Sequence, residues 1–267
     1  YRFLNSSKFN WRKYLLLLSS SIIKNTLTPL TSDERVNVLI VDDSMYSRNR
    51  SKSVELLAKV FDHVQRKYLK GFRLLNLGWS DGNTFLPVAF SLLSSENEEN
   101  RLCSVNDSID KRTNGYKLRK EAVKKSPTVM IDMIAQAIQH GIPASYVLFN
   151  SWFTYPQTLI KIVQLKLHTI SIVKSMYRVY YNYNGKYFNL KDLYASLKKK
   201  RGKAKILSSV IVGIGSDENG NEVKAKIVFV RSRNWLALIS TDITLNDDEI
   251  IRIYGKRWDI EVFFKRY

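Results

Sequence analysis

Residues 36–43 read VNVLIVDD, and this run predicts a buried β-strand. Five of its eight residues are aliphatic and four of these five are β-branched, which favours an extended backbone covered on both faces. The run closes with two carboxylates, Asp42 and Asp43, where we expect the strand to end. In α/β proteins, side chains at such strand ends face the edge of the sheet that carries the functional site.

The residues that follow predict a helix, a hairpin and a polar connection. Apolar residues recur at helical spacing over residues 53–68. Residues 72–79 and 84–93 are two largely apolar segments on either side of the turn 80–83, which contains Asp-Gly and therefore signals a hairpin. Residues 95–125 are polar and charged, and we expect an exposed, mobile connection there.

Helices and strands then alternate. A helix with proline in its first turn begins at Ser126, and the strand 144–149 that follows it ends at Asn150. Another amphipathic helix begins at Pro156 and is followed by a strand, HTISIVK. Antiparallel strands followed by alternating helices and strands predict an α/β fold with a mixed sheet flanked by helices.

The remaining sequence is rich in strands and ends in a helix. After residue 175, short apolar segments separated by Asn-Gly and other turns predict a β-rich block before a helix near Ile250. This helix reaches the last residue without a stop signal, so we expect a truncated chain. The predicted segments are 1–35, an N-terminal helical segment; 36–174, the first part of the core; 175–240, a β-rich insertion; and 241–267, the final core helix.

Charge is the strongest signal in the composition. The 267 residues include 43 Lys and Arg against 24 Asp and Glu, a net charge of +19, which favours nucleic acid as the partner and leaves open a basic surface without a specific role. A hydrophobic content of 45% excludes wholesale disorder. The single cysteine, Cys103, excludes a disulfide scaffold and fits a reducing compartment. No apolar run is long enough for a membrane span.

Three side chains are candidates for a metal-dependent site. Asp42 and Asn150 follow predicted strands, and Glu261 lies in the final helix. Mg²⁺ prefers hard oxygen ligands, and two such ions about 4 Å apart can act on a phosphodiester. Spacing alone also allows plain structural roles, because an aspartate at a strand end is often a turn or cap residue and exposed helix glutamates are common.

The residues around these positions resemble a known family. Tyr254, Arg257 and Glu261 have the spacing Tyr-x2-Arg-x3-Glu, and the preceding motifs are VLIVDDSM (38–45) and LFNSWF (148–153). In this order they resemble the DDE transposases of the bacterial insertion-sequence group that includes the Tn-five and Tn-ten enzymes. The similarity extends over roughly residues 36–267.

The resemblance implies a ribonuclease-H-like core that cuts and joins double-stranded DNA at transposon ends. It implies two Mg²⁺ ions, with Mn²⁺ as a substitute, held by Asp42, Asn150 and Glu261. Asp43 is the alternative first ligand; Asp42 is preferred because the family pattern places Ser or Thr two residues later, here Ser44. A dimer on DNA and a cytoplasmic, nucleoid-associated bacterial protein are further implications, with no membrane partner.

Contacts to DNA are expected from two places. The resemblance assigns Tyr254 and Arg257 to DNA phosphates, on the same helix face as Glu261; core packing for Tyr254 and a surface ion pair for Arg257 are the alternatives. Residues 198–205 contain six Lys or Arg in eight positions and predict a phosphate-binding loop. Within that loop we expect DNA contacts from Lys198, Lys199, Lys200 and Arg201.

The sequence departs from the family pattern at the second acidic position. Asn150 stands where the family has aspartate, and its amide carries no charge, so we expect very weak or absent strand cleavage with DNA binding retained. The closing lysine of the signature would lie beyond Tyr267. The functions left open are a transposase catalytic domain, an inactive DNA-binding relative or fragment, and a nuclease that does not join strands.

Overall fold

The structure is a computed structural model and describes residues 6–30, 32, 35–62, 65–106 and 108–266. Its α-helices are α1 (Trp11–Ile22), α2 (Thr28–Leu30), α3 (Asn114–Ala122), α4 (Ser126–Gln139), α5 (Pro156–Gln164), α6 (Leu190–Ser196), α7 (Asp247–Gly255) and α8 (Trp258–Arg266). Its strands are β1 (Val38–Ser47), β2 (Ala58–Asp62), β3 (Lys67–Ser80), β4 (Phe85–Leu93), β5 (Tyr146–Phe149), β6 (His168–Val173), β7 (Tyr181–Tyr183), β8 (Lys186–Phe188), β9 (Ile206–Ser216), β10 (Glu222–Arg231) and β11 (Trp235–Ser240). A π-helical turn, Ile23–Leu27, continues α1 into α2, and a 3-10 turn spans Glu98–Asn100.

The chain forms two compact units. Unit 1 consists of Tyr1–Ser32, Val41–Gly78 and Leu86–Ile142, and unit 2 of Asp33–Ile40, Trp79–Phe85 and Pro143–Tyr267. Strand β1 thus begins in unit 2 and continues into unit 1. The division into four consecutive segments remains a prediction.

Unit 1 combines a small antiparallel sheet with helices α1, α3 and α4. Strand β3 pairs with β2 on one side, and β4 also pairs with β3, so the hairpin predicted around Asp-Gly is confirmed. Helix α4 begins at Ser126 as predicted and buries five side chains. Helix α1 is tied to α3 by a bidentate ion pair between Arg12 and Glu121, at 2.5 and 2.9 Å.

Unit 2 contains an extended mixed sheet. The first residues of β1 run parallel to β5, and β5 runs parallel to β6. Strand β11 then pairs antiparallel with β6, and β10, β9, β7 and β8 follow in that order. The β-rich block after residue 175 therefore extends this sheet through β11. Helices α5 and α7 pack against it, and an apolar core lies between the strands and α7–α8.

Mostly antiparallel strand pairing with flanking helices confirms the predicted α/β class and is consistent with a ribonuclease-H-like fold. Strands β5 and β6, helix α5 and the Asn-Gly hairpin β7–β8 also occur where the sequence predicts them. Among the described residues, no helix is long and apolar enough to cross a bilayer.

Three local predictions are wrong. Among the described residues of 53–68 the predicted helix is absent: Leu56 has a φ of 58°, which a helix excludes, and β2 pairs with β3 instead. The connection 95–125 contains α3, which Thr113 caps by accepting a hydrogen bond from the Tyr116 N–H at 3.3 Å. The final helix is interrupted between Gly255 and Trp258.

Candidate active site

The first candidate ligand lies within β1 and not at its end. Strand β1 continues to Ser47, so the expected strand end at Asp42 and Asp43 is wrong. Because side chains alternate along a strand, Asp42 belongs to the face of β1 that carries Val38 and Ile40, and Asp43 to the opposite face. Both carboxylates are half-buried.

The environment of Asp43 differs from that of Asp42. Arg73 Nε lies 3.1 Å from Asp43 Oδ2, so Asp43 is engaged in an ion pair on its own face of unit 1. A cavity of about 370 Å³ is lined by both carboxylates and by the buried Asp62, which accepts a hydrogen bond from the Gln65 N–H at 3.1 Å. Both carboxylates therefore line the same cavity, and the choice of Asp42 over Asp43 as first ligand remains a prediction.

Asn150 follows β5 and closes a tight turn. Its side-chain Oδ1 accepts the Trp152 N–H at 2.9 Å. Its carbonyl oxygen accepts the Thr154 hydroxyl at 3.2 Å and the Phe153 N–H at 3.4 Å. Asparagine is common at such positions because its amide mimics one more peptide unit of the turn. The amide oxygen expected to reach a metal is therefore used in capping its own loop.

Glu261 lies in the first turn of α8 and is held by an arginine. Arg257 Nη2 donates to Glu261 Oε1 at 2.7 Å. Arg257 is 8% exposed, and its guanidinium lies over the rings of Tyr254 and Trp258, at 5.9 and 5.0 Å from their centroids. The ion pair proposed as the alternative for Arg257 is thus present, with the arginine buried and Glu261 half-buried.

Tyr254 packs in the core of unit 2. It is 8% exposed, and its hydroxyl lies 3.5 Å from the Phe149 carbonyl oxygen. The expected single helix face does not exist, because Tyr254 is in α7, Glu261 is in α8 and Arg257 lies in the turn between them. The packing favours the core role for Tyr254 over a contact with DNA phosphates.

The turn between α7 and α8 is anchored by buried polar groups that we did not anticipate. Lys256 Nζ donates to the carbonyl oxygens of Val36 and Asp81, at 2.6 and 3.0 Å. Ser80, which is fully buried, donates to Asp259 Oδ2 at 2.5 Å. These contacts fix the start of α8, and therefore Glu261, against the 80–83 turn.

Asp81 organises the 80–83 turn itself. Its side chain is 3% exposed, pairs with Arg35 at 3.1 Å, and accepts the N–H groups of Asn83 and Thr84 at 2.9 and 2.7 Å. Gly82 has a φ of +96°, which favours glycine, and a Cβ there would lie 2.8 Å from Lys256 Nζ and displace that ammonium group.

The electrostatics of Lys256 follow from this setting. Burial lowers the pKa of its ammonium group, and Arg252 acts in the same direction, while Asp81, Asp259 and Glu249 oppose the shift. Aspartate, glycine and lysine were visible in the sequence only as turn and helix residues, so no local signal marked this cluster.

The basic loop 198–205 is exposed, and hydrogen bonds from the Arg231 side chain hold its backbone. Arg231 donates from Nη2 to the Gly202 carbonyl oxygen at 2.8 Å and from Nε to the Ala204 carbonyl oxygen at 2.9 Å. Lys199 folds back, with Nζ 2.9 Å from the Ala195 carbonyl oxygen and 4.9 Å from the centre of the Tyr194 ring. Lys198, Lys200 and Arg201 are exposed to solvent.

A comparison with known protein families identifies the family of the chain. The sequence model of the DDE superfamily endonucleases matches residues 1–190, and the chain belongs to this family. The match includes Asp42 and Asn150 and ends before Tyr254, Arg257 and Glu261. A search of curated proteins gave no match. The superfamily is confirmed, and the narrower likeness to the Tn-five and Tn-ten group remains a prediction.

Members of this family generally use divalent metal ions. The candidate ligands offer hard oxygen atoms of the type such ions prefer, but the set carries two carboxylates and one neutral amide. Asn150 Oδ1 and Glu261 Oε1 already accept hydrogen bonds from the protein. In the described part of the chain, no group of three His, Cys, Asp or Glu side chains is placed to hold a metal. As they stand, these residues do not fit a two-metal centre.

Proposed function

We propose that this chain is the catalytic core of a DDE-type DNA transposase of the bacterial insertion-sequence group, and that Asn150 leaves its strand cleavage very weak or absent while DNA binding is retained. The proposal rests on the family match and on the pairing register of strands β1 and β5. Ile40 of β1 pairs with Leu148 of the parallel strand β5. Asp42 and Asn150 each follow these paired residues by two positions.

As the family resemblance assigns them, Asp42 and Asn150 are the first and second positions of the site. Glu261, presented by α8, is the third. Tyr254 supports this arrangement from the core, and Arg257 holds Glu261. In a site of this kind catalysis is largely electrostatic, so the loss of one negative charge at the second position removes most of the activity.

The chemistry proposed for the intact site is cleavage of a phosphodiester in duplex DNA followed by joining of the freed end to target DNA. The alternative is an inactive DNA-binding relative, which the capping role of the Asn150 amide favours. Gel-shift and plasmid-nicking assays in Mg²⁺ and Mn²⁺ test the proposal on a plasmid carrying the ends of the encoding element. We expect binding with little nicking. Absence of any DNA binding contradicts it.

The basic loop is proposed as one of the DNA contacts. Changing Lys198→Gln with Lys200→Gln removes two exposed charges and keeps Lys199, which caps α6. We expect affinity for duplex DNA to fall about tenfold at physiological salt, with the slope of log K against log salt reduced by about 1.8, since each phosphate contact contributes about 0.9.

Lys161→Gln with Lys191→Gln is the matched control, because both lysines are exposed, belong to unit 2 and lie outside the loop. Fluorescence anisotropy of a labelled duplex over a salt series measures both pairs. An equal slope for the loop variant and the wild type rules out phosphate contacts from these two lysines.

A further inference from the structure

The region from the end of β1 to the start of β3 is a second strongly basic part of the chain and belongs to unit 1. Every exposed charged side chain described between residues 48 and 70 is basic; these are Arg48, Arg50, Lys52, Lys59, Arg66, Lys67 and Lys70. Of the two acidic residues described there, one is paired and the other is buried. Glu55 pairs with Arg119, and Asp62 is 7% exposed. We define this set of seven side chains and its strands as the hairpin surface.

Backbone contacts hold the hairpin surface together. The Arg48 N–H donates to the Lys70 carbonyl oxygen at 2.7 Å, and the Lys70 N–H donates to Asn49 Oδ1 at 3.0 Å. Arg48 also lies over the Tyr46 ring, 4.4 Å from its centre. The end of β1 is therefore fixed against the β2–β3 hairpin, which brings Arg48 next to Lys70.

The centre of this surface is a pair of like charges. The antiparallel register places Lys59 directly opposite Lys70 and Phe61 opposite Tyr68. Neither lysine has an ion-pair partner among the described residues. Like charges in directly opposed positions destabilise a hairpin, and an anion between them removes that cost.

Aromatic side chains adjoin this pair. Phe61 and Tyr68 meet edge to face with ring centres 5.2 Å apart, and Tyr68 is 68% exposed. A tyrosine hydroxyl can donate to a phosphate oxygen or lie against a sugar. Cations in a row beside an exposed tyrosine are suited to the backbone of duplex DNA.

We propose that the hairpin surface binds the phosphate backbone of the DNA duplex that flanks the cleavage site. The proposal rests on the proposed function, because it takes Asp42 as the catalytic position. Asp42 and Ser47 are five residues apart on β1, which is about 17 Å of strand and about five base pairs of duplex. A DNA duplex bound at Asp42 would therefore extend as far as the start of the hairpin surface, about five base pairs away.

The test changes Lys59→Gln with Lys70→Gln in the full chain. The probe is a labelled duplex, followed by anisotropy over a salt series. We expect the duplex to bind about tenfold more weakly, and the slope of log K against log salt to be reduced by about 1.8. Lys111→Gln with Lys117→Gln is the control, because it removes the same charge from two exposed lysines elsewhere in unit 1.

Thermal unfolding separates binding from folding. Removing the opposed charges relieves repulsion, so we expect the Tm of the Lys59→Gln, Lys70→Gln variant to be unchanged or higher. The proposal is supported if the slope of log K against log salt is reduced in this variant and equal to that of the wild type in the control. Equal slopes in both variants, or a loss of binding that accompanies a lowered Tm, overturns it.

Failure here is distinguishable from failure of the proposed function. If the slopes are equal but Asn150→Asp gains nicking, the hairpin surface is not a DNA contact and the transposase proposal stands. If the slope changes as expected but Asn150→Asp gains nothing, DNA binding at this surface stands and the catalytic proposal is lost.

Discussion

Replacing Asn150 with aspartate is expected to raise plasmid nicking about 100-fold in Mg²⁺ or Mn²⁺. The change restores a negative charge at the second position of the site, two residues beyond the paired residues Ile40 and Leu148. Loss of one well-placed electrostatic group costs an enzyme about 10²–10³ in rate, and this substitution reverses such a loss. The carboxylate can still accept the Trp152 N–H that now caps the turn, so we expect the fold to be preserved.

Conversion of supercoiled to nicked plasmid measures this gain. Asn219→Asp is the matched control, since it adds the same charge at an exposed turn of unit 2. In the Asn150→Asp background, Asp42→Asn is expected to return nicking to background and Asp43→Asn to retain most of it, because the family pattern places the first ligand two residues before Ser44. Equal nicking by the wild type and the Asn150→Asp variant refutes the catalytic role of this position.

Asp81→Ala is expected to lower the free energy of unfolding of unit 2 by about 2–4 kcal/mol. The carboxylate is 3% exposed, pairs with Arg35 and accepts two backbone N–H groups. Its removal leaves buried donors without acceptors, and such losses cost about 1–3 kcal/mol each, more where a charge is involved. The 80–83 turn, which binds Lys256, would become less ordered. The start of α8 would then lose part of its support.

Urea unfolding followed by tryptophan fluorescence measures this effect. Four of the five tryptophans, Trp79, Trp152, Trp235 and Trp258, belong to unit 2, so the signal reports mainly that unit. Glu218→Ala is the control, because Glu218 is a solvent-exposed carboxylate of the same unit, and no measurable change is expected from it. A midpoint for Asp81→Ala equal to that of the wild type contradicts a structural role for the 80–83 turn.

Much of the fold could be predicted from local sequence patterns. The Asp-Gly hairpin, the proline-initiated helices α4 and α5, and the Asn-Gly turn between β7 and β8 each carry a residue with a fixed backbone preference. The segment 53–68 misled the prediction because its apolar residues recur at helical spacing. Its strand is decided by pairing of β2 with β3 and by the positive φ of Leu56, and neither is visible in the periodicity.

The site could be predicted in part. Asp42, Asn150 and Glu261 were selected as oxygen-bearing side chains near the ends of predicted elements and by the family resemblance. The anchors of α8 could not be found in this way, because Ser80 lies 179 positions from Asp259 in the sequence and Asp81 lies 175 from Lys256. The break in the final helix was also missed, since the residues from Ile250 onward continue an amphipathic pattern across it.

The most direct test of the account is whether Asp42, residue 150 and Glu261 act as one ion-binding site. Electron paramagnetic resonance distinguishes free from bound Mn²⁺ and can follow its titration into the Asn150→Asp protein. We expect Mn²⁺ binding by this variant, weak binding by the wild type, and loss of binding when either Asp42→Asn or Glu261→Gln is added. Unchanged Mn²⁺ binding after Asp42→Asn and after Glu261→Gln would contradict it.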